Sequence, residues 1–424
     1  MQKGFFTSKQ TESKTRPDGK MRSCTICGMY KNVNTPRMKP YGNFKKRILN
    51  IGEAPAGLDD QRGIPWQGRS GKLLKKTYEK YGIDLFEDCL NINACWCSPR
   101  DKEGNDRFPT IDEVANCRKS TLRIIEEYKP QVIILLGNSA IFSLIGHRWK
   151  KDLGTIFKWR GWTIPDQDFH AWVCPTFHPN YIEQNDEGAE RIIWEQDLLK
   201  AFGKLNQEIP IYKEPEIEII EDLSLLEYCK IGSVKARTKP TRAAFDFETT
   251  GLKPHAEGHQ IVCASVAYSA DHAYAFMIPK TKNERLPFIN FLTNPEIKKI
   301  AANMKYEHNW TSTKLRLIVE GWEWDTMQAA HVLDNREGIT GLKFQTYVNF
   351  GVVDYDSEVS PYLQSVDYKN ANSLNRVLEL IEKPGGKELL MKYCAYDSIN
   401  EYRLAMLQME RLNSNDPYPD DLPF

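Results

Sequence analysis

Apolar residues in the first half of the chain come in short dense runs separated by turn-forming clusters. RILNIGEAP, from Arg47, predicts a strand closing on a Gly/Pro turn, and YKPQVIILLG, from Tyr128, predicts a buried strand. IDLFEDCLNINACW, from Ile83, has an apolar end and no other clear period. Strand-like and helix-like segments alternate, which favours an α/β layer structure. In the second half, AAFDFETTGL, from Ala243, opens a new strand. KELLMKYCAYDSINEYRLAMLQMERL, from Lys387, spaces its apolar residues as a helix does.

These patterns divide the chain. Residues 1–20 are polar and predict a disordered lead-in, followed by a first domain over 21–205. From Asn206 the text mixes prolines with alternating charges, so 206–239 is expected to be a linker before a second domain over 240–424. A length of 424 residues, at roughly 150 per domain, is consistent with two or three domains. No internal repeat or long low-complexity tract interrupts the pattern.

Composition narrows the partners. Lys+Arg and Asp+Glu both number 57, so the net charge is zero and any nucleic acid must be held by local basic patches. The N-terminus lacks the apolar run of a signal peptide, and no stretch approaches the ~18 apolar residues of a membrane helix. A cytoplasmic protein without a membrane partner is expected. The ten cysteines then read as packing residues or metal ligands, not as disulfides.

The second domain carries candidate chemistry. In the strand FDFETTG, residues two apart share a face, so Asp246 and Glu248 point one way and Phe245 and Phe247 the other. Tyr393 and Asp397, four apart in the C-terminal helix, are neighbours on its surface. In AANMKYEHNW, Asn303 and Glu307 have the same spacing, and Glu307 can supply a further carboxylate. Clustered carboxylates repel one another unless cations neutralise them. Two divalent ions about 4 Å apart can activate water and stabilise the leaving oxygen of a phosphodiester.

Asp-x-Glu, Asn-x-x-Tyr-Glu and Tyr-x-x-x-Asp, in that order, resemble the proofreading exonuclease domain of family A DNA polymerases over roughly residues 240–410. The resemblance implies a ribonuclease H-like α/β fold and a two-metal 3′→5′ exonuclease acting on single-stranded or frayed DNA 3′ ends. Asp246, Glu248, Glu307 and Asp397 would hold two Mg²⁺ or Mn²⁺ ions, and Tyr393 would orient the attacking water. WEWDTMQAAHVLDN, from Trp322, is similar to the segment that follows the family's second motif. The family usually has Asp where Glu307 stands.

The first domain has its own constellation. IGEAPAGLDDQRGIPWQGRSGKLL places Glu53 at a strand end and follows it with glycine-rich turns that let backbone approach a ligand. Gly-Glu-Ala-Pro, Gly-x-Pro-aromatic-x-Gly and Ser-Gly-x-Leu-Leu resemble the family 4 and 5 uracil-DNA glycosylases. NACWCSP, VIILLGNSA and TFHPNY are similar to further segments of that family. The resemblance implies a three-layer α/β domain and uracil-containing DNA as substrate. Glu53 would position water, Trp66 would stack on the flipped base, Asn93 would read its edge and His178 would stabilise charge on the leaving uracil. Ala56, Trp66 and Asn180 stand where the family usually has Gly, Phe and Ser.

Cys24 and Cys27 form a C-x-x-C, with Cys97 and Cys117 further along. Four thiolates can bind Zn²⁺ or a [4Fe–4S] cluster, and Cys95 lies close enough to compete with Cys97. The glycosylase resemblance favours the cluster on Cys24, Cys27, Cys97 and Cys117. The two domains together look like the front half of certain large-phage DNA polymerases, which implies a role in DNA repair or replication. The expected function is an exonuclease fused to a domain that excises or senses uracil. The alternatives are the editing subunit of a split polymerase, with a polymerase partner, and a DNA-binding protein with idle sites. A phage origin would place the chain in the cytoplasm of a bacterial host.

Overall fold

The computed structural model describes residues 24 and 26–413, apart from 186, 187, 228, 232, 233, 239, 240, 354 and 368; the expected lead-in, 1–20, lies outside the described residues. Contacts divide the chain into two units; the second begins at Lys213, and Tyr347–Val353 group with the first.

The first unit runs β1 (Ile48–Gly52), α1 (Gly57–Arg62), α2 (Arg69–Lys80), β2 (Cys89–Asn93), α3 (Ile111–Tyr128), β3 (Val132–Leu136), α4 (Asn138–Leu144), α5 (Ile156–Trp159), β4 (Ile164–Asp166), β5 (Ala171–Thr176), α6 (Pro179–Gln184) and α7 (Ala189–Gly203). The sheet order is β2-β1-β3-β5-β4, parallel except for β4. Every residue of β1, β2, β3 and β5 is buried. Such continuous apolar runs need cover on both sheet faces, which makes this a three-layer α/β domain. α3 begins at a capping box in which Glu113 N donates to Thr110 Oγ1 at 3.3 Å and Thr110 N donates to Glu113 Oε2 at 2.8 Å.

The second unit runs β6 (Glu216–Ile219), β7 (Cys229–Ile231), β8 (Val234–Thr238), β9 (Arg242–Thr249), β10 (Ile261–Ala267), β11 (His272–Met277), α8 (Leu286–Thr293), β12 (Lys298–Ala301), α9 (Met304–Trp310), β13 (Trp322–Asp325), α10 (Thr326–Leu333), α11 (Leu342–Phe350), α12 (Ser360–Leu363), α13 (Val377–Ile381) and α14 (Gly386–Asn413). Its main sheet has the order β13-β12-β9-β10-β11-β6. β9, β10 and β11 are antiparallel neighbours, and β12 and β13 continue parallel to β9. That order and polarity make the unit ribonuclease H-like.

One sheet face is aromatic: Phe245, Phe247, Phe288, Phe291 and Trp310 share a buried cluster. α14 packs against β9, β10 and β11. The alternation of β9 therefore sends its two phenylalanines into the aromatic core and leaves Asp246 and Glu248 for the other side.

The stretch 206–239, expected to be a linker, is not structureless. Its EIEI segment forms β6, which pairs parallel with β11 at the sheet edge, and β7 and β8 form a separate antiparallel pair. The Glu/Ile alternation is a strand period, obscured by the surrounding prolines and charges. Among the described residues, no helix is long and apolar enough to cross a membrane.

Candidate functional site

The second unit gathers its carboxylates where β9, α9 and α14 meet. Ligand atoms of Asp246, Glu248 and Cys394 all lie within 4.8 Å of one another. The Cys394 thiol faces the main-chain oxygen of Asp246 at 3.4 Å and its Oδ2 at 3.6 Å. This close group does not include Glu307 or Asp397. Asp397 forms an ion pair with Lys343 and accepts the Tyr355 hydroxyl at 2.6 Å. Glu307 is buried on α9 with its Oε2 lacking a hydrogen-bond partner.

Glu307 owes its position to the start of α9. Asp325, at the end of β13, accepts from Asn303 N at 3.0 Å and Met304 N at 3.1 Å, so its carboxylate ties the helix entrance to the sheet. Asn303 sits there in the left-handed region, at φ 65°. Tyr306 adds a second tie, its hydroxyl 2.6 Å from Thr249 Oγ1.

Burial and mutual repulsion push these acids toward their protonated forms. Asp246 is raised to about 8, first by burial and then by the charge of Asp397. Glu248 and Glu307 lie well above the usual carboxylate range for the same reasons, with Asp246 as the principal repelling charge. Glu401, which sequence reasoning missed, is also buried and raised; its Oε1 accepts Ala302 N at 3.0 Å and its Oε2 has no hydrogen-bond partner. Its signal was available, since it follows Asp397 by four residues on the same helix. Orphaned buried carboxylate oxygens of this kind suit hard divalent cations.

The first unit brings its candidate residues together at the carboxyl ends of its parallel strands. β1 ends at Gly52 and delivers Glu53, β2 ends at Asn93, and β5 leads into His178. A Cβ on Gly52 would lie 2.6 Å from Asn93 Oδ1 and 2.9 Å from the Trp66 ring, so only glycine lets these groups converge. Trp66 itself is held at φ 64°, a strained conformation for a bulky residue. Its ring centre lies 5.7 Å from that of His178.

Hydrogen bonds fix the chemistry of the two titratable groups. Asn180 N donates to His178 Nδ1 at 3.2 Å, which leaves the ring proton of a neutral imidazole on Nε2. Burial lowers His178 to about 4, so the neutral form prevails near pH 7. Burial raises Glu53, while Ser139 Oγ, donating at 3.0 Å, opposes that shift. Behind the His178 loop, Asp197 accepts from Arg160 Nε at 2.9 Å and from Thr176 Oγ1 at 2.8 Å, pinning the end of β5.

Cys24, Cys27, Cys97 and Cys117 line one cavity of about 420 Å³. Arg37 N donates to Cys97 Sγ at 3.3 Å and Trp96 N donates to Cys117 Sγ at 3.4 Å, contacts that favour thiolates. Cys95 is buried outside the cavity lining and donates to Cys97 O at 3.4 Å. The neighbouring Cys95 thiol holds the Cys117 thiol below its ordinary value, against the effect of burial.

Residues 39–207 match the family model of the uracil DNA glycosylase superfamily. The type-4 uracil-DNA glycosylase of Thermotoga maritima is 33% identical over 192 residues, which make up 45% of this chain and 93% of that protein. The chain belongs to the uracil-DNA glycosylase superfamily. A DNA polymerase of Bacillus phage SP01 is 24% identical over 334 residues, covering 72% of this chain and 34% of the polymerase. The solved structure of Brucella melitensis NrnC covers 50% of this chain and 89% of its own at 18% identity and a TM-score of 0.32, too distant an overlap to carry weight.

The glycosylase unit accommodates each departure from its family's usual residues. Trp66 brings an indole N–H, and Asn91 Oδ1 accepts it at 3.1 Å. Ala56 caps α1 in extended conformation at φ −82°, which does not demand glycine. Asn180 serves His178 through its backbone N–H, which another residue there would also supply. Asn91 and Ser139, like Lys343 and Tyr355 in the other unit, escaped the sequence reading because they act through side chains distant in the chain.

Proposed function

We propose that this chain acts on DNA at two sites, removing nucleotides from 3′ ends at the carboxylate site and excising uracil at the glycosylase pocket. The exonuclease reading is carried by one observation: ligand atoms of Asp246 and Glu248 lie within 4.8 Å of one another beside the buried acids Glu307 and Glu401, each of which leaves its Oε2 without a hydrogen-bond partner. Such a cluster is costly to the fold unless cations occupy it. Asp246, Glu248, Glu307 and Asp397 would hold two Mg²⁺ or Mn²⁺ ions, which supply Lewis acidity and an activated water. Tyr393, one turn before Asp397, would orient the attacking water.

In the glycosylase pocket, Trp66 offers its face to the extruded base, and Asn93 offers hydrogen bonds to the base edge. Glu53 positions the water. The Nε2 proton of neutral His178 donates to the uracil oxygen as negative charge develops there. Cys24, Cys27, Cys97 and Cys117 fit a [4Fe–4S] cluster, supported by their shared cavity and the backbone N–H groups directed at two of the sulfurs.

The paired test uses one preparation. A single strand labelled at its 5′ end should shorten from the 3′ end with Mn²⁺, and the Asp246→Ala, Glu248→Ala double variant should leave it intact. Equal shortening by that variant would overturn the exonuclease reading. A uracil-containing strand should become alkali-labile with wild type and remain resistant with Glu53→Ala, His178→Ala. The extended match to a phage polymerase favours proofreading as the setting. A mispaired 3′ end should then be removed faster than a paired one.

A further inference from the structure

Within the carboxylate site, Asp397 is held by a cation of the protein's own. The Lys343 ammonium forms an ion pair with Asp397 Oδ1, and the two side chains are 15% and 10% exposed. The same ammonium lies 3.9 Å from the ring centre of Tyr355 and 4.3 Å from that of Tyr393. Tyr355 also donates its hydroxyl to Asp397 Oδ1 at 2.6 Å. Lysine, carboxylate and two aromatic faces thus form a closed set around one ligand oxygen.

An ammonium taken out of water needs a paired charge, and loss of that pair is expensive to the fold. Aromatic faces add attraction for the cation without competing for its protons. A lysine stem is flexible enough to swing away when a stronger cation arrives. Asp246, Glu248, Glu307 and Glu401 make no such ion pair among the described residues, so the direct pairing falls on Asp397.

We propose that Lys343 is a built-in counter-ion of the carboxylate site, pairing with Asp397 in the metal-free protein, and that a divalent cation must exchange with it at that oxygen. The inference rests on the metal-site reading of the carboxylates. Lys343 then acts as a positioning residue: it steadies the metal-free protein and weakens divalent-ion affinity by competing for a ligand.

The test is Mn²⁺ binding to the full chain without DNA, read by calorimetry and by the resonance signal of free Mn²⁺. Lys343→Met should bind Mn²⁺ about tenfold tighter than wild type. Lys343→Arg, which keeps the charge, should retain an affinity close to wild type. Metal-free Lys343→Met should also melt at a lower temperature and gain more from Mn²⁺ than wild type does. Lys343→Gln, a milder change, should shift affinity in the same direction and serves where the methionine variant does not fold. Equal affinity in wild type and both neutral variants would overturn the exchange. A wild type that binds no more Mn²⁺ than the Asp246→Ala, Glu248→Ala double variant would instead overturn the metal-site reading.

Discussion

Trp66 donates its indole N–H to Asn91 Oδ1 at 3.1 Å, and Asn91 is itself fully buried within a polar chain. Asn50 Nδ2 donates to the same Oδ1 at 2.9 Å, Tyr78 donates to Asn50 Oδ1 at 2.8 Å, and Asn91 Nδ2 donates to Leu85 O at 2.8 Å. Trp66 is therefore keyed to the sheet beneath it by a network with partners at every step.

Asn91→Leu should break that key. It leaves the Trp66 and Asn50 donors without their acceptor, at about 1–3 kcal/mol for a buried unpaired group. Trp66→Phe removes only one donor and leaves Asn91 Oδ1 its bond from Asn50, so its cost should be smaller, about 1 kcal/mol. Urea unfolding measures both. Uracil excision should fall further in Asn91→Leu than in Trp66→Phe; the reverse order would refute a role for the network in placing the ring.

Ser139→Ala should shift the acid limb of uracil excision to higher pH. Burial already raises Glu53, and the Ser139 hydroxyl favours the ionised carboxylate. Removing that donor raises Glu53 further, so the active carboxylate is lost at a higher pH as the solution is acidified. A pH–rate profile of wild type and variant checks this. An unchanged acid limb would show that Glu53 ionisation does not govern the reaction.

What could be read from the sequence was local. The FDFE alternation separates an aromatic from an acidic face because strand period is two, and the Tyr393–Asp397 pair follows from one helical turn. Strand β6 was hidden because its partner, β11, lies far along the chain and its Glu/Ile alternation is set among prolines. Lys343 and Tyr355 reach Asp397 across separations of 54 and 42 residues, which no local period encodes. Asn50 and Asn91 left a fainter trace: each is an amide set between apolar residues in its strand.

Glu401→Gln should stabilise the metal-free protein and weaken its response to metal. Glu401 is held well above the usual range by burial and by the charges of Asp246, Glu307 and Asp397. The amide keeps the shape and the acceptor for Ala302 N while removing an acid whose ionisation burial and the neighbouring carboxylates oppose. The melting temperature in EDTA should rise by a few degrees, as a gain of about 1 kcal/mol would give. A fall instead would mean that Glu401 is needed as a charged partner within the metal-free site.

Chelation should reverse the usual pH trend of the second unit's stability. Asp246 titrates near 8 in the folded protein against an ordinary value of 3.8, raised by burial and then by Asp397. Between those values the folded state binds more protons than the unfolded state, so this group's contribution to stability declines as pH rises. The contribution is fully present below the ordinary value and lost once pH passes about 8. Glu248 and Glu307, raised in the same direction, add to the effect. In EDTA, melts between pH 5 and pH 9 should therefore show the unit weakening with pH. Saturating Mn²⁺ should flatten or invert that slope, because a cation binds the deprotonated acids and favours the state that offers them together. Asp246→Asn should reduce the slope in EDTA and the gain from Mn²⁺ at once. A slope that is the same with EDTA and Mn²⁺ would show that these carboxylates do not share a cation.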